Sequence, residues 1–114
     1  MYAIKNKVTL IGNLGNNPEI KTLDNNKKVA RISLATNETY KNKQGEKITE
    51  TTWHTVVAWG RLAEVSEKFL KKGTEVCVEG KLVNKSWLDK DGITRYSTEI
   101  QVNDIVLLSH QSAA

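Results

Sequence analysis

Five stretches of this chain carry the spacing of β-strands, and one carries that of a helix. Val8-Thr9-Leu10-Ile11 opens the first, within Asn6–Asn13. Gly12 and Gly15 flank Leu14 there, and isolated glycines in such a pattern predict a bulge or sharp bend. Pro18 ends the regular part, and Ile20–Leu23 is expected to resume it. Asp24-Asn25-Asn26 signals a turn. From Lys28 to Thr36 the pattern alternates, with Ala30, Ile32, Leu34 and Thr36 on one face and Val29, Arg31, Ser33 and Ala35 on the other. Glu38–Glu50 is polar, contains Gln44-Gly45, and reads as a long hairpin. It leads into Thr52–Gly60, a run of β-branched and aromatic residues closed by glycine. There Trp53, Thr55, Val57 and Trp59 point one way, and His54, Val56 and Ala58 the other. Period alone leaves open which face is core.

After Gly60 the period changes. Leu62, Val65, Phe69 and Leu70 follow helical spacing over Arg61–Lys71. Lys71-Lys72-Gly73 ends the helix with cations at its negative pole and a glycine stop. Thr74–Trp87 returns to period two, with Val76, Val78, Gly80 and Leu82 on one face and Lys81, Val83, Lys85 and Trp87 on the other. Asp89-Lys90-Asp91-Gly92 is a hairpin turn. Arg95–Ile105 is the last strand, with Tyr96, Thr98, Ile100 and Val102 expected to face inward. The order predicts an all-β fold: a small, open, antiparallel five-stranded barrel of OB type, with one short helix between strands 3 and 4. One crossover helix is too few for a parallel βαβ architecture. Residues 1–108 are expected to form a single domain and 109–114 a short frayed C-terminal end.

Composition narrows the function. The chain has 114 residues, one cysteine and two histidines. This excludes an internal disulfide framework and argues against a zinc site or other metal centre. No apolar run is long enough to span a membrane, and the start lacks a secretory signal. The expected location is cytoplasmic, associated with the nucleoid. A net charge of +4 agrees with a nucleic-acid partner, though many unrelated domains share it.

Three tryptophans, Trp53, Trp59 and Trp87, and Tyr40 fall on strands or hairpins. They are interleaved with Lys43, Lys47, Arg61, Lys72, Lys81, Lys85 and Arg95. Flat aromatic faces accept bases of any sequence, and cations track phosphates, the two ingredients of single-strand binding. A lone tryptophan in a small β-domain is more often core. Here Val56 and Ala58 already supply an apolar face opposite Trp53 and Trp59, and Trp87 shares its face with two lysines, so surface stacking is the better reading. Thr55, between Trp53 and Trp59 on their face, joins the expected phosphate contacts. His54 has no local acid or cysteine partner, Glu64 and Glu67 read as a solvated helix face, and Cys77 as a small strand residue. Gly12-Asn13-Leu14-Gly15 lacks the lysine and helix start of a phosphate loop. No catalytic constellation emerges, so no enzyme and no cofactor are expected.

The residues Asn6-Lys7-Val8, Ile11-Gly12-Asn13-Leu14-Gly15 and Pro18-Glu19 resemble the amino-terminal motif of bacterial single-stranded DNA-binding proteins. So do Leu34-Ala35-Thr36, Trp53-His54, Gly60-Arg61-Leu62-Ala63-Glu64, Lys72-Gly73, Val78-Glu79-Gly80 and Arg95-Tyr96, in order over nearly the whole chain. The resemblance implies an OB-fold that assembles as a homotetramer and wraps single-stranded DNA without strong sequence preference in replication, recombination and repair. It places base-stacking aromatics at Trp53, Trp59, Trp87 and Tyr40. It places phosphate contacts at Lys43, Arg61, Lys72 and Arg95, and a subunit contact at His54. Ser86 stands where a basic side chain is common, which shifts one contact to Lys85. An acidic tail that recruits other proteins is usual in the family. Here Asp104 is the last acid and the chain ends at Ala114, as a truncated core or a short natural form, so tail-mediated partners are not carried over. Two alternatives stay open beside this reading: an OB module for protein interaction, and an OB domain for RNA.

Overall fold

The alternation of the second stretch becomes one wall of a barrel. In the computed structural model, which describes residues 3–108, Ala30, Ile32 and Leu34 are buried while Arg31 between them is exposed. The expected frayed end, 109–114, lies outside the described residues. After a single 3-10 turn (Ala3–Asn6), the elements are β1 (Val8–Leu14), β2 (Glu19–Thr22), β3 (Lys28–Lys41), β4 (Lys47–Trp59), α1 (Arg61–Phe69), β5 (Glu75–Leu88) and β6 (Thr94–Leu107).

The expected first strand is interrupted, so five barrel strands appear as six segments. β1 pairs with β3 at Asn13↔Ala35 and Leu14↔Leu34, and β2 resumes the same antiparallel ladder at Glu19↔Arg31. Between them the Gly15 N–H donates to the Ser33 carbonyl (2.8 Å) and the Ser33 N–H to Asn16 Oδ1 (3.2 Å). A side chain thus replaces a ladder partner at the bend, which keeps the backbone satisfied where the strand turns.

The barrel is closed rather than open, in the ring β1-β5-β6-β4-β3 and back to β1. One of its pairings is parallel, not antiparallel: β4 meets β6 at Thr55↔Glu99, Val56↔Ile100 and Val57↔Gln101. Closure brings Gly12 so near β3 that a Cβ there would lie 2.2 Å from the Ala35 carbonyl oxygen. Inside, Leu14, Ile32, Leu34, Val56, Leu70, Val76, Val78, Ile100 and Val102 form the core.

Helix α1 lies against β3, β4 and β6 and ends at Phe69, two residues earlier than its sequence spacing suggests. It buries Ala63 and Ser66, with Leu70 just beyond its end, at the spacing i, i+3, i+7. The seat beneath is made by Ala30 and Ala58, small enough for close approach. The Ser66 hydroxyl donates to the Leu62 carbonyl (2.8 Å), so its burial leaves no unpaired group. Phe69, expected on the apolar stripe, is exposed.

Two long hairpins project from the barrel. The β3–β4 ladder runs from Val29↔Trp59 to Lys41↔Lys47, and β5–β6 from Val76↔Leu107 to Leu88↔Thr94. Alternation continues along these arms, but no core lies beneath them. Tyr96 and Thr98 of the expected inward set are therefore exposed, as is Leu82, while Ile100 and Val102 are buried as expected.

Candidate nucleic-acid interface

On the outer wall, β4 presents Trp53, Thr55, Val57 and Trp59 opposite Ala35, Ser33, Arg31 and Val29 of β3. Trp53 is 61% exposed and Trp59 39%. His54, Val56 and Ala58 take the other side, where Val56 and Ala58 enter the core. The surface continues across the parallel pairing: Thr55 neighbours Glu99, and Glu99 neighbours Val83 of β5. From Val83 the same parity leads to Lys85 and Trp87, with Trp87 opposite Arg95 and 50% exposed. The register thus brings Trp53, Thr55, Trp59, Lys85, Trp87 and Arg95 onto one continuous face, from residues far apart in the chain.

Tyr40 does not join that face. It lies opposite Ile48 and shares parity with Glu38, Thr36 and Leu34, the reverse side of the β3–β4 arm from Trp53. Its ring is 47% exposed and its hydroxyl donates to Glu50 Oε1 (3.1 Å). His54 sits on this reverse side too, half-buried, where its Nε2 and Thr36 Oγ1 share a hydrogen bond of 3.0 Å.

The remaining cations stand in connections. Lys43 is exposed in a turn built on Asn42, whose Oδ1 accepts the N–H groups of Gln44 (3.0 Å) and Glu46 (2.9 Å). Arg61 begins α1 directly after Trp59 and Gly60, exposed. Lys72 is exposed beyond the helix, and its backbone N–H donates to Asn17 Oδ1 (2.9 Å), which ties that turn to the bend of the first strand.

Two of the expected phosphate contacts already hold acids. Arg95 Nε donates to Asp89 Oδ2 (2.8 Å), and Lys85 Nζ lies 3.3 Å from Glu99 Oε1. The Arg95 hydrogen bond, aided by the N–H groups of Ile93 and Asp91, lowers the Asp89 carboxyl below its ordinary value. At the helix, the hydrogen bond and charge of Glu67 raise the Lys28 ammonium above its ordinary value, across a contact of 2.8 Å.

Three residues, Arg31, Glu99 and Gly15, were not read from the sequence as part of this face. Arg31 pairs with Glu99, whose carboxylate is almost wholly buried although it lies on the outer wall. Gly15 lies directly beneath the Trp53 ring. The parity of Arg31 with Val29, Ser33 and Ala35 was visible in the sequence. Its ion pair was not, because 68 residues separate it from Glu99. Among the described residues there is no group of three or more His, Cys, Asp or Glu arranged to hold a metal, and no helix is long and apolar enough to cross a membrane.

A Plasmodium falciparum SSB, solved in complex with ssDNA, is 37% identical, superposes with a TM-score of 0.82, and is matched over 91% of this chain and 95% of its own. The sequence profile described as the single-strand binding protein family matches residues 5–108. With most of its length matched in sequence and its barrel matched in three dimensions, the chain belongs to the single-strand binding protein family.

Proposed function

We propose that this protein binds and protects single-stranded DNA with little sequence preference, in support of replication, recombination and repair. The observation that carries the reading is the shared outer face of Trp53, Trp59 and Trp87, three half-exposed indoles with no core to fill. Bases stack on Trp53, Trp59 and Trp87, each contact contributing about 1–3 kcal/mol. Lys43, Thr55, Arg61, Lys72, Lys85 and Arg95 contact the phosphates. Tyr40 stacks a further base, and its place on the reverse of the arm means that the strand must pass around the arm's edge to reach it. At Lys85 and Arg95 a phosphate shares or displaces the carboxylates of Glu99 and Asp89.

Residues 1–108 act as one DNA-binding unit, and four copies assemble through contacts that include His54. The half-buried imidazole, turned away from the tryptophan face, supports that assignment because it leaves the DNA surface free. The protein works in the cytoplasm, on the nucleoid, and the chemistry proposed requires no cofactor.

A thymine oligonucleotide titrated at two salt concentrations tests stacking and phosphate contact together. Strong quenching of tryptophan fluorescence is expected, with affinity falling as salt rises. Absence of quenching at low salt would overturn the reading. Light scattering of the purified chain tests the tetramer.

A further inference from the structure

A carboxylate buried on the outside of a barrel needs an explanation. Glu99 is such a group: its side chain is 4% exposed, yet by register it belongs to the face that carries Thr55 and Val83. Burying one charge costs several kcal/mol unless it is paired and hydrogen-bonded. Glu99 is paired twice, its Oε2 with Arg31 Nη2 from β3 and its Oε1 with Lys85 Nζ from β5 at 3.3 Å. The two cations reach it from opposite sides, Arg31 across β4 and Lys85 from the adjacent strand β5. Each keeps half or more of its side-chain surface open, 55% for Arg31 and 50% for Lys85.

We infer that Arg31 and Lys85 form a phosphate site on the outer face, held in place by Glu99 as a positioning residue. The inference rests on the single-strand reading and adds Arg31 and Glu99 to it. Two cations on one carboxylate leave a surplus positive charge, and about half of each side chain stays open to solvent. The site lies beside Thr55 and Val57, between the rows of Trp53 and Trp59. A shallow depression of about 190 Å³ opens there, lined by Arg31, Thr55, Ser33, Asn16 and Glu19 among others. Glu19, opposite Arg31 on β2, is the nearby acid that opposes an anion. On the same wall Lys21 and Lys81 add to Arg31 and Lys85, so cations outnumber the carboxylates of Glu19 and Glu99. A strand stacked on Trp53 and Trp59 carries its backbone across this interval, and a guanidinium fork suits a phosphate there better than a flexible point charge.

The test measures thymine-oligonucleotide affinity against salt concentration for the full chain and four variants, with thermal unfolding of each as a control. Arg31→Gln should lower the slope of log affinity against log salt by about 0.7, the value of one single-strand phosphate contact. Arg31→Lys should keep the slope, because the charge remains. The discriminating variant is the double Arg31→Gln with Glu99→Gln. In the single variant Glu99 neutralises Lys85. Removing both frees Lys85 without leaving a buried charge unpaired, so the slope should recover. A purely structural Glu99 would give no such recovery. Wild-type slope and affinity in Arg31→Gln, alongside weakened binding in Trp53→Ala, would overturn the site and leave the stacking reading standing. If the unsubstituted protein fails to bind at low salt, the stacking reading falls first and this site with it.

Discussion

The indole of Trp53 lies against the backbone of Gly15: a Cβ built on that glycine would stand 2.3 Å from Cζ3 of the ring and 2.7 Å from Cη2. Gly15 is the first residue past β1, at the point where the first strand breaks and bends. The bend therefore serves two ends. It turns the strand into β2, and it leaves a flat, side-chain-free surface on which an exposed ring can lie.

Gly15→Ala should move the ring without unfolding the protein. The atoms in the way are the far end of an exposed side chain, which can swing aside, so stability should change by less than about 1 kcal/mol. DNA affinity should fall by up to the value of one stacked base, about 1–3 kcal/mol. Titration in a Trp53→Ala background checks the cause. The glycine effect should vanish there, and an equal loss in both backgrounds would refute the account.

Trp53→Ala combined with Trp87→Ala should leave the fold intact, because both rings are at least half exposed. Binding should weaken by about 2–6 kcal/mol, two stacked bases' worth. Circular dichroism and a urea melt report the fold, and an oligonucleotide titration reports the binding. Unfolding of the double variant would mean that the indoles hold the barrel together, and would favour a role for this face other than base stacking.

Gly12→Ala should behave in the opposite way, losing stability before function. Its Cβ would meet the Ala35 carbonyl, a backbone atom that cannot yield without opening the β1–β3 closure. The expected cost is about 1–3 kcal/mol, in the range of overpacked cores. A lower urea midpoint at unchanged slope would show it. A neutral outcome would mean that the closure is loose.

The Asp89–Arg95 pair predicts a pH dependence at the tip of the β5–β6 arm. The Asp89 carboxyl is lowered in the folded state, so its contribution is present above its ordinary value near 3.8 and is lost as pH falls through the lowered one. The Lys28–Glu67 pair runs the other way: the raised ammonium contributes fully below about 10.5 and is lost as pH rises through its folded value. Both pairs are solvent-exposed, so each effect is small and screened by salt. Carboxyl NMR titration should find Asp89 below 3.8, with the value moving up in Arg95→Ala. No upward movement would assign the shift to the backbone N–H groups of Ile93 and Asp91 alone.

Much of this was legible in the chain itself, because alternation and glycine placement are local properties. Period two grouped Ala30, Ile32 and Leu34 on one face of β3 and Val56 and Ala58 on one face of β4, and the surface reading of Trp53 and Trp59 made Val56 and Ala58 the core side; all five are buried. The change of period after Gly60 located the helix. The motifs from Asn6 to about Val102 named the family. Local pattern failed where burial depends on what lies underneath. Tyr96 and Phe69 have the spacing of inward residues, yet one projects beyond the core on an arm and the other is turned from a seat that accepts only small side chains.

Other properties belong to the tertiary structure alone, since they join residues distant in sequence. The parallel β4–β6 pairing, the closure at Gly12, the Trp53–Gly15 contact and the Arg31–Glu99–Lys85 cluster each depend on register between strands that no local pattern encodes. Tyr40 marks the boundary most clearly. Its aromatic character could be read from one residue, but the side of the sheet it occupies relative to Trp53 was set only when Tyr40 paired with Ile48. A side chain's chemistry is carried by its own residue; which partners it meets is decided by how the strands align.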